Sequence, residues 1–433
     1  MGVALRLAAW LLGCSVACAS AAEHPHIVYI LADDLGWKDV GFHGSTIRTP
    51  NLDRLAQSGV RLERFYTQSY STSTRAALLT GRYPMRYGLQ TLSILPWSEY
   101  GLPTGERLLP QALKDAGYRT AALGKWQLGH YKKDYWPTQR GFDSFYGSFN
   151  GDLDCLRKTN QAHKADWFRN ERPVSEEGYC TTLIGKEAAN IIEKHDTATP
   201  LFLYLSFHAP QSPLQATKKY LELYGGVSDE QRRTYAAMVT ALDDAIGVVT
   251  AALEKKGVTT DTLIVFHSDN GGAVPNKYPT GDGDVQRGVS DNGPYRDGKG
   301  SLYEGSLRVV AVASWPGKIP AGVVAERIHV TDMYPTLLGL AGARLEQPKP
   351  LDGIDQWATI TGTKLSARKE LLLGMEDFRG ALMAGDWKLI VHSRLPVRYE
   401  LYNVMDDPSE EDNHAEREPQ RVQEMLVRFN EYA

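Results

Sequence analysis

The apolar run at residues 26–32 (HIVYILA) opens a series of short hydrophobic segments that recurs at 119–123, 201–207 and 262–267. Unbroken runs of this length, without strict alternation, mark strands buried on both faces. Between them lie stretches with helical spacing. Residues 49–62 begin on Thr49-Pro50-Asn51, a helix start signal, and 75–80 (RAALLT), 187–194 and 232–255 follow. Strands alternating with helices predict an α/β fold, a mostly parallel sheet between helical layers. Beyond Asp386 the pattern changes: 387–391 (WKLIV) and 399–402 (YELY) read as antiparallel strands and 416–429 as a polar closing helix. The expected organisation is a leader at 1–22, an α/β domain at 23–365 and a small C-terminal antiparallel subdomain at 366–433. A Gly-, Asp- and Pro-rich stretch at 276–300 reads as a surface loop. No internal repeat is visible.

Composition narrows the function classes. The 433 residues carry 48 basic and 52 acidic side chains, a net charge of −4, with no basic cluster of the kind that tracks phosphates. No nucleic-acid partner is expected. Apart from the N-terminus, no apolar run approaches the roughly 18 residues that cross a bilayer, so no stable membrane insertion is expected. Residues 1–22 hold Arg6, an apolar stretch and small residues ending Ala19-Ser20-Ala21, the pattern of an export signal. This predicts a secreted or periplasmic protein. Cys14 offers a weaker reading as a lipid attachment point, and the absence of an Asn-x-Ser/Thr sequon speaks mildly against a heavily glycosylated lysosomal protein. Outside the leader only Cys155 and Cys180 remain. After export they can form a disulfide or stay as two thiols.

Candidate chemistry gathers at strand ends, where ligands of open α/β sheets bind. Asp33-Asp34 and Asp269-Asn270 each follow an apolar strand, and hard oxygens of this kind suit Ca²⁺, with Mg²⁺ second, rather than zinc. Each pair alone could be a turn. Comparable positions, however, carry Lys125, His208 and Lys299, while Arg75 opens a helix whose free N–H groups attract anions. A metal ringed by Lys, Arg and His suits a tetrahedral oxyanion ester.

The ordered blocks ILADDLGW (30–37), TPNLDRLAQSGVRLERFY (49–66), TRAALLTGRYP (74–84), LPQALKDAGYRTAALGKW (109–126), HAP (208–210), SDNGG (268–272), DGKGSLYEG (297–305) and TDMYPTLLGLAG (331–342) resemble the formylglycine-dependent sulfatases. The arylsulfatase B-like, N-acetylgalactosamine-4-sulfatase group is the nearest likeness. The resemblance implies an alkaline-phosphatase-like fold, a calcium ion on Asp33, Asp34, Asp269, Asn270 and residue 71, and a sulfated carbohydrate or aryl sulfate as substrate. It implies a nucleophile at 71, with Arg75 and Lys125 holding it and the sulfate, and His208 and Lys299 binding sulfate and assisting the leaving oxygen. Three positions depart from the family pattern. Ser71 replaces the cysteine that is matured to formylglycine, Ser73 stands where proline is expected, and Gln127 replaces a histidine that would take a proton from the aldehyde hydrate. The neighbouring His130 is offset by three residues and is no obvious substitute. Three readings therefore stay open: a sulfuric ester hydrolase with formylglycine at Ser71, a silent sulfatase fold that binds sulfated glycans, and a serine-nucleophile phosphatase. Substrate choice is expected in loops such as 152–166 and 276–297, with Trp97 among the aromatics able to stack on a sugar. Oligomeric state is not legible.

Overall fold

A computed structural model describes residues 24–91, 93–274, 289–345 and 347–432. The leader reading at 1–22 and most of the 276–297 loop lie outside the described residues. The first strand, β1 (His26–Ala32), is buried at all seven positions, as its unbroken apolar run requires. Helix α1 (Pro50–Ser58) follows with Pro at its start, and then β2 (Val60–Leu62) and β3 (Phe65–Tyr66). Here the structure corrects the expected 49–62 helix. It stops at Ser58 because Gly59 adopts an extended conformation, and a Cβ there would lie 2.3 Å from the Ala313 carbonyl oxygen. The close approach lets β2 join the sheet.

Helix α2 (Ser71–Thr80) begins four residues before the expected RAALLT segment and ends on Gly81 in the left-handed region, a usual helix stop. All ten of its residues are buried. Next come α3 (Leu109–Asp115), β4 (Arg119–Lys125), β5 (Ser144–Ser148), β6 (Phe168–Arg169) and β7 (Arg172–Pro173). They are followed by α4 (Cys180–Lys194), β8 (Leu201–Ser206), the long α5 (Glu230–Lys256) and β9 (Thr262–Ser268). The domain closes with β10 (Arg308–Val309), β11 (Ala311–Ser314), β12 (Gly322–Val324) and β13 (Ile328–His329).

The ten-stranded sheet runs β12-β2-β11-β9-β1-β8-β4-β5-β6-β7. Its centre, β9 to β5, is parallel, and antiparallel pairs flank it at β11 and β6. The expected mostly parallel sheet is therefore present, with antiparallel flanks that the strand reading did not include. One face packs on α1, α4 and α5, the other on α2 and α3, giving two apolar layers. Helix α5 is long and apolar enough to span a bilayer, yet 72% of that window is buried within the protein. Its Asp243 accepts from the backbone N–H groups of Asn51 and Leu52 at 3.1 and 2.8 Å, tying it to the first turn of α1.

The tail forms the expected antiparallel sheet, with four strands: β14 (Glu370–Leu373), β15 (Arg379–Ala384), β16 (Trp387–His392) and β17 (Arg398–Asn403). Helix α6 (Pro419–Tyr432) covers one face through Val422, Met425 and Phe429. The other face meets Tyr66, Leu302, Tyr303 and Leu307 of the main domain. At that joint the fully buried Lys388 Nζ lies 3.0 Å from Glu304 and 2.6 Å from Glu410.

Cys155 and Cys180 are joined in a disulfide that anchors a hairpin (Leu153–Asp154 with Thr159–Asn160) to the start of α4. It closes a loop of sequence separation 25. Loop-closure entropy for such a span corresponds to about 3 kcal/mol. Replacing both cysteines with serine is expected to lower unfolding free energy by about that amount, measured by denaturant titration. An unchanged midpoint would show that the bridge does not constrain the unfolded chain.

Candidate functional site

Five segments converge beyond the carboxyl end of the central strands. Strand β1 delivers Asp33 and Asp34, the latter in the left-handed region, β9 delivers Asp269 and Asn270, and β4 ends in Lys125. Helix α2 presents Ser71 in its first turn, and the loop before residue 300 presents Lys299. Lys125 reaches the site because Gly124 precedes it. A Cβ at Gly124 would fall 1.9 Å from the Ser206 carbonyl oxygen, and its φ of +95° favours glycine.

The side chains form one buried network. Ser71 Oγ lies 3.3 Å from Asp33 Oδ1 and 3.4 Å from Asn270 Oδ1. Arg75 Nη2 donates to Asp33 at 2.8 Å and to Asp269 at 2.9 Å, with the guanidinium fully buried. Lys125 Nζ donates to Asp33 and, at 2.6 Å, to Gln211 Oε1. Lys299 Nζ donates to Asp34 at 2.9 Å, and Asn270 Nδ2 donates to the same carboxylate at 2.7 Å. The structure thus brings Asp33, Asp34, Ser71, Arg75, Lys125, Asp269, Asn270 and Lys299 together. His208 joins from the side: its Nε2 is 2.7 Å from Ser148 Oγ, and its buried Nδ1 has no hydrogen-bond partner.

Three partners escaped the sequence reading. Ser206, which accepts from Arg75 and donates to the Lys125 carbonyl at 2.7 Å, ends β8 two residues before His208. Gln211 holds Lys125 and donates to Asp152 Oδ1 at 2.8 Å, and Ser148 ends β5. Their strand-end positions were the available signal. Gln127 sits two residues past Lys125, 3% exposed, and its side-chain Oε1 has no partner. His130 places its Nε2 3.1 Å from the Pro96 carbonyl oxygen.

Electrostatics explain the arrangement. Burial favours a neutral Asp33, yet Lys125, Arg75 and Lys299 hold its pKa below the ordinary value. Burial and the Asp33 charge push Asp269 up to about 6. Burial lowers Lys125, and burial with the Lys125 charge pushes His208 down to about 3, leaving it a neutral imidazole. Asp33, Asp34 and Asp269 offer oxygens that all lie within 4.8 Å of one another. These donors, with Asn270 Oδ1 and Ser71 Oγ, fit a hard divalent cation. Three carboxylates already face three cations, Arg75, Lys125 and Lys299. A divalent ion therefore adds positive charge that an anionic ligand would offset.

A family model described as Sulfatase matches residues 25–343, and one described as N-sulphoglucosamine sulphohydrolase, C-terminal, matches 295–431. The chain belongs to the sulfatase family. It is 39% identical over 376 residues to arylsulfatase J of Mus musculus, covering 85% of this chain and 61% of that protein. It is 36% identical over 364 residues to the N-acetylgalactosamine-6-sulfatase of the same species, covering 79% and 67%. Among solved structures, Ps i-CgsB in complex with k-i-k-neocarrahexaose superposes with a TM-score of 0.85 at 31% identity, covering 95% of this chain and 93% of that one. The fold expected from the sulfatase resemblance is the one observed.

Proposed function

We propose that this sulfatase is an exported sulfuric ester hydrolase that removes sulfate from a sulfated carbohydrate or aryl sulfate, using calcium and the side chain at position 71. The observation that carries this reading is the placement of Ser71 Oγ beside Asp33 and Asn270, at the N-terminus of α2 and inside a ring of three cations. A relative that is an N-acetylgalactosamine-6-sulfatase and a neighbour solved with k-i-k-neocarrahexaose support a sulfated sugar as substrate. Exposed Trp97, Tyr100 and Tyr131 supply apolar surface on which a sugar could stack.

Calcium on Asp33, Asp34, Asp269 and Asn270 supplies Lewis-acid polarisation of a sulfate oxygen when bound. The chain's own groups do the rest. Arg75 fixes Asp33 and Asp269 in place, while Lys125 and Lys299 direct N–H donors at the charge that develops on sulfate oxygens. The oxygen at position 71 gives up its proton towards the neighbouring Asp33 carboxylate and attacks sulfur, the ester S–O bond breaks, and the leaving oxygen takes a proton from the Lys299 ammonium, with the neutral His208 imidazole beside it as a hydrogen-bonding group. Release of sulfate then depends on what residue 71 is. A formylglycine hydrate has a second hydroxyl to expel sulfate, whereas a plain serine ester needs water.

Gln127 favours a second reading. Its amide cannot take a proton from an aldehyde hydrate as an imidazole would. A chain with unmodified Ser71 is then a sulfated-glycan binder that reacts at most once. Peptide mass spectrometry across Ser71 on protein from its native host, with a 4-nitrocatechol sulfate time course, separates the two. Loss of two hydrogens at Ser71 with linear turnover, abolished in Lys299→Ala, supports the hydrolase. An unmodified serine with no more than one equivalent of product supports the binder. Phosphate-ester turnover that requires Ser71 would point instead to phosphatase chemistry.

A further inference from the structure

Away from the Ser71 centre, a three-stranded sheet of order β10-β3-β13 joins the main domain to the tail. In its register Arg308 pairs with Tyr66 and Ile328 with Phe65, so Arg327 lies opposite Arg64. Arg308 thus lies beside Tyr66 within the sheet, while Arg64 and Arg327 each directly precede one of its strands, and the Arg64 carbonyl accepts from the Ile328 N–H at 3.1 Å. Three arginines therefore sit in or next to three neighbouring strands, where like charges brought close repel.

The carboxylates that would ordinarily pair with them are engaged elsewhere. Among the described residues neither Arg64 nor Arg327 has a carboxylate within ion-pair distance. Arg308 has only Glu304, at 3.8 Å, which is 3.0 Å from Lys388 and accepts from Tyr66 at 2.9 Å. Arg308 Nε donates to the Glu63 carbonyl at 2.7 Å, and Arg327 donates to the Gly385 carbonyl. Arg64 is the exception. It is only 8% exposed, and its buried Nε and Nη2 have no hydrogen-bond partner. Burial, and after it the neighbouring Arg64 charge, lower the pKa of Arg327. The guanidinium of Arg308 stacks on Tyr295 at 4.5 Å and lies 5.3 Å from the ring of Trp37, three residues beyond Asp34.

Unpaired, buried guanidinium donors are costly unless an anion completes them, and their planar fork matches a tetrahedral oxyanion. We propose that Arg64, Arg308 and Arg327 form a second oxyanion site, which holds a further sulfate group of the substrate saccharide or a free inorganic oxyanion. The saccharide source rests on the function proposed above. A substrate with more than one sulfate would then engage the protein at two places, with Trp37 and Tyr295 beside the second.

The test uses the full chain and its Arg64→Gln and Arg327→Gln variants. Crystals soaked in selenate are expected to show anomalous selenium within hydrogen-bond reach of Arg64, lost in Arg64→Gln. By calorimetry a disulfated disaccharide is expected to bind about tenfold tighter than its monosulfated counterpart, an advantage that falls to about twofold or less in either variant. Arg64→Gln should leave 4-nitrocatechol sulfate behaviour unchanged and keep or raise the melting temperature, because it removes an uncompensated charge. Selenate at Arg64 without any disaccharide advantage identifies the occupant as a free oxyanion. Selenate at Arg64 with none near Ser71 upholds this site and counts against the proposed function. No selenate at Arg64 overturns the inference whatever occupies the Ser71 centre. So does a marked drop in melting temperature of Arg64→Gln, which would make Arg64 a structural residue.

Discussion

Arg75→Met is expected to lose about 3–5 kcal/mol of folding stability in chelator-treated buffer, because it strips the shared cation from two buried carboxylates. Both Asp33 and Asp269 face Arg75 Nη2 with no solvent to replace it. Methionine fills much of the volume and restores none of the charge. Added millimolar calcium should recover part of the loss, because an ion that binds only the folded state stabilises it by mass action. Denaturant titrations of the variant and the parent, each in chelator and in calcium, measure both effects. A loss that calcium leaves untouched would argue against a cation among Asp33, Asp34 and Asp269. Sulfate-ester chemistry should vanish in the variant under either condition.

The second large effect is expected at Lys388→Met, outside the site. Lys388 holds Glu304 and Glu410 together at the joint between the main domain and the tail, all three buried. Its removal leaves two carboxylates side by side and should cost about 3–5 kcal/mol near neutral pH. The pH dependence has a definite sign. Burial, with the Glu304 charge adding to it, pushes Glu410 from its ordinary 4.5 up to about 7 against the pull of Lys388. Between those values the folded state holds a proton that the unfolded chain has released, so this group's contribution declines as pH rises from 4.5 to 7. In Lys388→Met the decline should start at the same pH, run on to a higher pH and end deeper, and the defect should shrink towards pH 5. A pH-independent defect would mean that packing, not charge, dominates at Lys388.

Legibility in the sequence followed the length of the signal. Strand β1 with its trailing Asp33-Asp34, and β9 with Asp269-Asn270, could be read because uninterrupted runs of six and four apolar residues suit a doubly covered strand. The tail could be read because its helix and strands are long enough to show a period. Strands of two residues, such as Phe65–Tyr66 and Arg308–Val309, carry no period at all, so the small sheet with its three arginines was invisible. Strand β2 was absorbed into a helix because the deciding event, the Ala313 carbonyl pressing on Gly59, is a contact between distant parts of the chain. The same holds for Ser206 and Gln211. Nothing local distinguishes them from other polar residues near a strand end, and only the folded sheet sets them against Arg75 and Lys125.

The cation cluster also reports on assembly. Its oxygens come from residues 33, 34, 71, 269 and 270, and the lysine that faces Asp34 comes from 299. A chain emerging from its N-terminus presents two aspartates and a serine early, yet offers no enclosed coordination until β9 docks beside β1. A divalent ion held there, as proposed above, would therefore bind tightly only to the finished sheet. Loading of the ion would then report completion of the sheet, because partly folded forms hold no cage to compete for it.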